Sequence, residues 1–435
     1  MTDTGTLAHA GAHGIESRHA WVRLCVSLAL MTIGGVGMYG AAVVLPAMQA
    51  DFGVVRADAS LPYTLTLIGY GIGGIVMGGL ADRFGVMVVL MVSAGFLGLG
   101  FVAAGSAASL WQFSLAHGLL IGLLGTSATF APLVADTAQW FDRRRGIALA
   151  ICMSGNYLAG VVWPPVMQYF IGSVGWRSTY VGLGLFCVLT MLPLALVLRA
   201  RPPVVVAPVR AAIAPAPLRS ARFIGHSDPA RPLGMAPGML QLLLCVAGVA
   251  CCVAMSMPQV HIVAYCTDLG FGAARGAEML SLMMGAGIVS RLLSGWVSDH
   301  IGGLHTLLLG SALQGIALLL FLPSDGLMPL YVVSALFGLF QGGIVPSYAL
   351  IVREYFSPQQ AGARVGTVLM ATLLGMALGG WLSGAIFDWT GSYRAAFING
   401  VLWNGLNLAI VVFLILRARG GTRHNASLPN GARSS

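Results

Sequence analysis

Lysine is absent from this 435-residue chain, and all 23 basic residues are arginine. Charge of either sign is scarce, at 9% of residues, whereas a soluble domain carries roughly 25%. So sparse a charged surface excludes an ordinary water-soluble globule. The 14 acids leave a formal charge of +9, but the arginines are scattered among many short segments rather than gathered on one face. No nucleic-acid partner is expected. Seven cysteines (Cys25, Cys152, Cys187, Cys245, Cys251, Cys252 and Cys266) lie nearly all inside apolar runs. None has C-x-x-C or His-linked spacing, so they read as small buried hydrophobes and no metal or cofactor is expected. A phosphate-cradling glycine loop is missing, which excludes a nucleotide-driven machine. No cluster of His, Asp or Cys marks one compartment, so an integral-membrane enzyme is excluded as well. The polar residues 1–20 lead into an apolar run longer than a signal peptide's core, with no convincing cleavage site, and this run reads as a retained helix.

What the chain does contain is apolar: 57% hydrophobic residues and a mean hydropathy of +0.85. About 20 apolar residues span a bilayer as a helix. Twelve such runs are drawn at roughly 21–48, 61–81, 86–106, 110–138, 145–171, 177–199, 238–266, 275–298, 303–322, 327–353, 362–387 and 394–417. The expected fold is all-α and membrane-embedded, with two six-helix halves over 21–199 and 238–417. Residues 200–237, rich in Pro, Ala and Arg and without apolar periodicity, read as a flexible linker, and 418–435 as a tail.

The halves repeat one another. Gly78-x-x-x-Asp82-x-x-Gly85 returns 217 residues later as Gly295-x-x-x-Asp299-x-x-Gly302. The same offset carries Asp51 and Gly53 onto Asp268 and Gly270, and Trp176-Arg177 onto Tyr393-Arg394. Copies that keep their order and their charged loops imply two halves of like orientation, related by an axis along the membrane normal, which is a transporter architecture.

Arginine placement sets orientation. With both termini on the inner side, the outer loops hold only Arg56, Arg177, Arg275 and Arg394, and Arg291 falls inside a run. The other eighteen of the 23 lie on inner segments, which places both termini and the linker in the cytoplasm of a cell whose cytoplasmic membrane the chain crosses.

The loop Gly78–Gly85, with its second copy at 295–302, resembles the signature loop of the major facilitator superfamily. Trp140 to Ala148, Gly155, Gly160, Gly175-Trp176-Arg177, Pro132, Asp51-Phe52-Gly53 and Pro258 to Tyr265 resemble its monocarboxylate/oxalate–formate branch, from about Tyr39 to Phe397 without the linker. The resemblance implies alternating access, with the two loops as conformational latches. Gly78, Asp82, Arg83 and Gly85 would face Arg353 and Arg364 of the other half. Gly295, Asp299 and Gly302 would face Arg143, Arg144 and Arg145, with His300 standing where the first copy has Arg83. Animal carriers of this branch have an acid four residues before a buried arginine; here those positions are Gly287 and Arg291. The lysines that the branch uses elsewhere are missing with every other lysine.

Arg291 is therefore the sharpest residue. It lies eight residues before Asp299, about 12 Å of helix from the inner end, and its burial costs about 2.5–3.5 kcal/mol on insertion scales. No acid is left at mid-depth to pair with it, so a substrate carboxylate is the expected counter-ion. His261, whose imidazole titrates near neutrality, is a candidate proton or substrate ligand. Tyr39, Asn156 and Gln341 are polar groups inside runs and join the candidate substrate site. The chain reads as a monomeric secondary carrier of a small organic anion, a monocarboxylate, with the proton as a candidate coupling ion. Two alternatives stay open. A proton-driven drug or cation exporter would require Asp136 to reach the cavity. A transport-silent sensor would be expected to carry a signalling domain.

Overall fold

In a computed structural model of the chain, residues 15–200 and 232–426 are described. Most of the expected amino-terminal tail, the linker over 201–231 and the tail from 427 lie outside the described residues. Among the described residues twelve helices are long and apolar enough to span a bilayer. They are α1 Arg18–Phe52, α2 Arg56–Phe84, α3 Val86–Gly105, α4 Leu110–Trp140, α5 Arg145–Val174 and α6 Trp176–Val197, then α7 Pro237–Asp268, α8 Ala273–Ile301, α9 Gly303–Phe321, α10 Leu327–Tyr355, α11 Gln360–Thr390 and α12 Tyr393–Ala418. An even number of crossings brings both ends of the bundle to one face, here the termini face; the opposite one is the far face. Helices are the expected answer to a lipid solvent, because each satisfies its own backbone polar groups.

The first helix starts three residues before the apolar run because Ser17 caps it, its Oγ accepting from the Ala20 N–H at 3.3 Å. Glycine sets the packing within each half. A Cβ at Gly184 of α6 would stand 2.7 Å from the Gly98 carbonyl of α3, so these two helices touch backbone to backbone. The duplication is visible in the chain path. Gly85 (φ 88°, ψ 154°) and Gly302 (φ 79°, ψ 166°) make the same turn between consecutive helices, in a region that side chains rarely adopt.

Two spans that the sequence reads as continuous are broken at matching depth. α4 passes through a π-helical stretch, Ala116–Gly125, and a 3₁₀ turn, Thr126–Thr129. α10 interrupts between Leu327–Gln341 and Ile344–Tyr355. Gly125 and Gly342, 217 residues apart, mark the two breaks. The Gly125 carbonyl accepts from Ser93 Oγ at 2.5 Å, and a Cβ on Gly342 would lie 2.8 Å from Ser290 Cβ of α8. Apolar periodicity does not register such breaks, because the residues on either side remain apolar.

The halves meet along α2 with α11 and α5 with α8. The hydrogen bonds, ion pairs and ring contacts that join them run from mid-depth to the far face: Thr64 Oγ1 to the Ala377 carbonyl at 3.0 Å, Ser281 Oγ to the Val161 carbonyl at 2.5 Å, and the Arg56 cluster described below. Towards the termini face, Gly74, Gly78 and Gly79 of α2 and Gly362 and Gly366 of α11 face open space. The bundle is shut at the far face and parted at the termini face.

Candidate functional site

At mid-depth two glycines on opposite halves make room for two tyrosines. A Cβ on Gly160 of α5 would lie 2.8 Å from Cζ of Tyr39, and one on Gly287 of α8 would lie 2.5 Å from Cε1 of Tyr157. The Tyr39 hydroxyl donates to the Asn156 carbonyl at 3.2 Å and touches the Met284 sulfur at 3.5 Å. The Tyr157 ring lies under the Arg291 guanidinium, whose carbon sits 4.7 Å from the ring centroid. A cation held over an aromatic face is attracted by the ring quadrupole, which offsets part of the cost of burying the charge. Among the described residues the guanidinium has no ion pair and no hydrogen-bond acceptor, and its buried Nε is unpartnered. Arg291, half-buried, is thus an unneutralised cation with its donor fork available between the two halves.

The other candidates fall in different places. The side-chain amide of Asn156 makes no hydrogen bond among the described residues, and it lies beside Tyr157 in the half-buried wall of α5. Gln341 is buried at the break in α10, where its Oε1 accepts from Gln259 of α7 at 2.9 Å and its Nε2 is unpartnered. His261 is not in contact with this group. Its Nε2 donates to the Gly380 carbonyl at 2.8 Å and its Nδ1 accepts from the Tyr393 hydroxyl at 3.2 Å. The carbonyl can only accept, which assigns the tautomer.

Tyr393 belongs to a far-face cluster centred on Arg56, a residue the sequence reading left in a loop. Arg56 is 7% exposed. Its Nη1 donates to Tyr393 Oη at 3.0 Å and its Nη2 to both Asp268 oxygens at 3.1 and 3.2 Å, while Phe387 lies 4.8 Å beneath the guanidinium. The backbone N–H groups of Arg56 and Ala57 donate to Asp388 at 2.9 and 2.7 Å. This cluster bolts the amino-terminal half to the carboxyl-terminal half. It also breaks the repeat: Arg177 pairs with Asp51 at 2.8 Å, and the 217-residue offset maps that pair onto Arg394 and Asp268. Arg394 instead pairs with Asp325 at 2.8 Å, which leaves Asp268 to Arg56 of the other half.

On the termini face Asp82 and Asp299 are exposed and have no ion pair among the described residues. Arg83 lies against Phe84, and Arg364 bonds to Gln360 and covers Phe356. Arg143, Arg144 and Arg145 are exposed, with the Arg144 N–H donating to Glu16 at 2.6 Å. Gly78, Gly85 and Gly295 have nothing within 4 Å of a built Cβ, and Gly302 has only Glu354 at that limit. Among the described residues, Asp82 and Asp299 in the two loops expected to act as latches make no ion pair with the opposite half. Asp136, the acid that a drug-exporter reading needs in the cavity, is buried and bonded through both oxygens to Arg23 at 3.0 and 2.8 Å. Arg23 in turn lies over Trp140 at 4.4 Å and donates to the Ala200 carbonyl at 3.1 Å.

Tyr157 went unread in the sequence, and Gln259 was read only as part of the segment Pro258 to Tyr265. Tyr157 carried a usable signal: it directly follows Asn156, in the stretch where Gly155 and Gly160 indicate close helix packing.

Comparison with known proteins agrees with the twelve-helix fold. A family model described as Major Facilitator Superfamily matches residues 26–327 and 243–434. Monocarboxylate transporter 13 of Rattus norvegicus is 27% identical over 321 residues, covering 73% of this chain and 71% of its own length. The MFS-type transporter pynF of Aspergillus niger is 24% identical over 319 residues, 73% of this chain and 69% of its own. Among solved structures, a bacterial homolog of the human lysosomal transporter Spinster, in an inward-facing and occupied conformation, superposes with a TM-score of 0.62 at 16% identity. That superposition covers 93% of this chain and 96% of the other.

Proposed function

This chain belongs to the Major Facilitator Superfamily of membrane transporters, and from that premise we propose that it carries a small organic anion, a monocarboxylate, by alternating access across the cytoplasmic membrane. The observation that carries the reading is the unneutralised Arg291, held between halves that part on one face and close on the other. A guanidinium presents a planar fork matched to a carboxylate, and a bound substrate would supply the missing counter-charge. The names of the rat and other monocarboxylate transporters support the same substrate class. The sequence reading assigns eighteen of the 23 arginines to inner segments, which favours a cytoplasmic location for the termini face and makes the conformation described inward-open. Both halves and the site between them lie in one copy, so a monomer suffices.

The test is counterflow by the purified full chain in proteoliposomes, against a panel of short-chain carboxylates, with organic cations as the contrasting set. Uptake of a carboxylate that disappears in Arg291→Ala supports the reading. Uptake of cations alone, or carboxylate uptake that survives in a well-folded Arg291→Ala protein, overturns it.

A further inference from the structure

The acids among the described residues account for themselves without reference to Arg291. Asp51 pairs with Arg177, Asp136 with Arg23, Asp268 with Arg56 and Asp325 with Arg394. Glu278 is held by Arg275 and by the Tyr331 hydroxyl at the far end of α8. Asp388 accepts the two N–H groups that open α2, Glu354 the Gly303 N–H and Glu16 the Arg144 N–H. Asp58, Asp82, Asp142 and Asp299 are exposed at helix ends and loops. Asp3 and Asp228 lie outside the described residues. The two histidines inside the bundle are bonded at both ring nitrogens: His117 to Thr66 and Tyr180, and His261 to Gly380 and Tyr393.

The contact Arg291 makes is with the Tyr157 ring of α5; one turn before it on α8 stands Gly287, and two turns before it Met284, which touches the Tyr39 hydroxyl of α1. A side chain at the helical position one turn before Arg291 would have to displace an aromatic ring. Any side chain at 287 begins with a Cβ only 2.5 Å from Tyr157 Cε1, and that ring is the one stacked under the guanidinium. Tyr157 compensates the cation through its ring face, without a carboxylate.

We propose that Arg291 and Tyr157 form a site with one fixed positive charge and no protein-borne proton, so that the chain carries one singly charged anion per cycle, electrogenically in net uptake and electroneutrally in one-for-one exchange. This rests on the anion reading of Arg291 and adds its charge bookkeeping. The empty site reorients with one positive charge and the loaded site with none, so a completed cycle of net transport moves one negative charge. A doubly charged anion would leave one negative charge unmatched in the cavity, which selects against dicarboxylates.

The test uses the full chain in proteoliposomes containing a pH-sensitive dye, with valinomycin and potassium gradients setting the membrane potential, and radiolabelled pyruvate, L-lactate and succinate outside. Arg291→Ala proteoliposomes set the background. The expected result is Arg291-dependent accumulation of pyruvate or lactate that rises about tenfold for every 59 mV of interior-positive potential. It comes with no acidification tied to uptake, no effect of potential on pyruvate–pyruvate exchange, and little succinate transport. Arg291-dependent uptake that ignores potential and acidifies the lumen in step overturns the one-charge site while leaving the anion reading intact. Arg291-dependent transport of succinate ahead of the monocarboxylates overturns it as well. If none of the three anions moves, the anion reading itself falls and this proposal falls with it.

Discussion

Arg291 and Tyr157 show how two side chains divide the cost of a half-buried cation. The aromatic face takes part of the charge, and the donor edge is left for a ligand. Charge-assisted hydrogen bonds are worth about 1.5–3 kcal/mol, so Arg291→Lys, which keeps the charge and loses the fork, should weaken apparent carboxylate affinity roughly ten- to a hundredfold in counterflow. Tyr157→Leu removes the π face and with it about 0.5–2 kcal/mol, a loss of roughly two- to thirtyfold. Tyr157→Phe keeps the ring and should lose less than Tyr157→Leu, and equal losses would show that the hydroxyl rather than the face matters. Gly287→Val should resemble Tyr157→Leu in transport, because its side chain must push the same ring out of place.

At the scale of helices, the far-face closure depends on where two segments end. α2 begins at Arg56 with its first N–H groups on Asp388 of α11, while the Arg56 side chain reaches Asp268 at the end of α7 and Tyr393 at the start of α12. Three ends of one half therefore converge on a single arginine of the other. Arg56 is nearly dry but the Asp268 side chain is 33% exposed, so solvent screens part of the pair. Asp268→Asn should shift the balance towards the far-open state by about 1–2 kcal/mol, below the 3–5 kcal/mol of a fully buried broken pair. Distances between spin labels placed on the two halves at the far face would show it, and an unmoved distribution would reduce the cluster to a surface ornament. Arg56→Gln combined with Asp268→Asn should cost less than the separate effects added together, since both remove the same contact.

For the whole molecule, the proposed alternating access makes the unpaired loops at the termini face and the paired cluster at the far face one end of a rocking motion. In the opposite state Asp82 and Asp299 would approach the arginines of the facing half. Asp82→Asn should then favour the conformation seen here by about 1–3 kcal/mol, slowing transport more than it weakens substrate binding. A collapse of affinity with an unchanged distribution of states would contradict that role. Topology is tested separately. Reporter fusions at residue 225 and at the carboxyl tail should both report a cytoplasmic location, and a periplasmic signal from either would reverse the assignment of the two faces.

The number of spans and the duplication were legible in the sequence, because a bilayer demands long apolar helices and a repeat needs only matching residues at one offset. The arginine inside the apolar run of α8 was legible as well, since charge is costly in lipid and stands out against it. Which neighbours answer that charge was decided in space. Tyr157 looks like any aromatic residue in an apolar run until α5 meets α8 and Gly287 admits its ring. Arg56 looks like a loop arginine until α7, α11 and α12 close over it, and Arg23 and Asp136 find each other across 113 residues of chain. His261 looked like a cavity residue by depth alone, and its two ring nitrogens went to Gly380 and Tyr393. Periodicity and composition report how deep a residue lies in the membrane. They carry no information on which helix face it shares, and that angular choice is made only when the twelve helices pack.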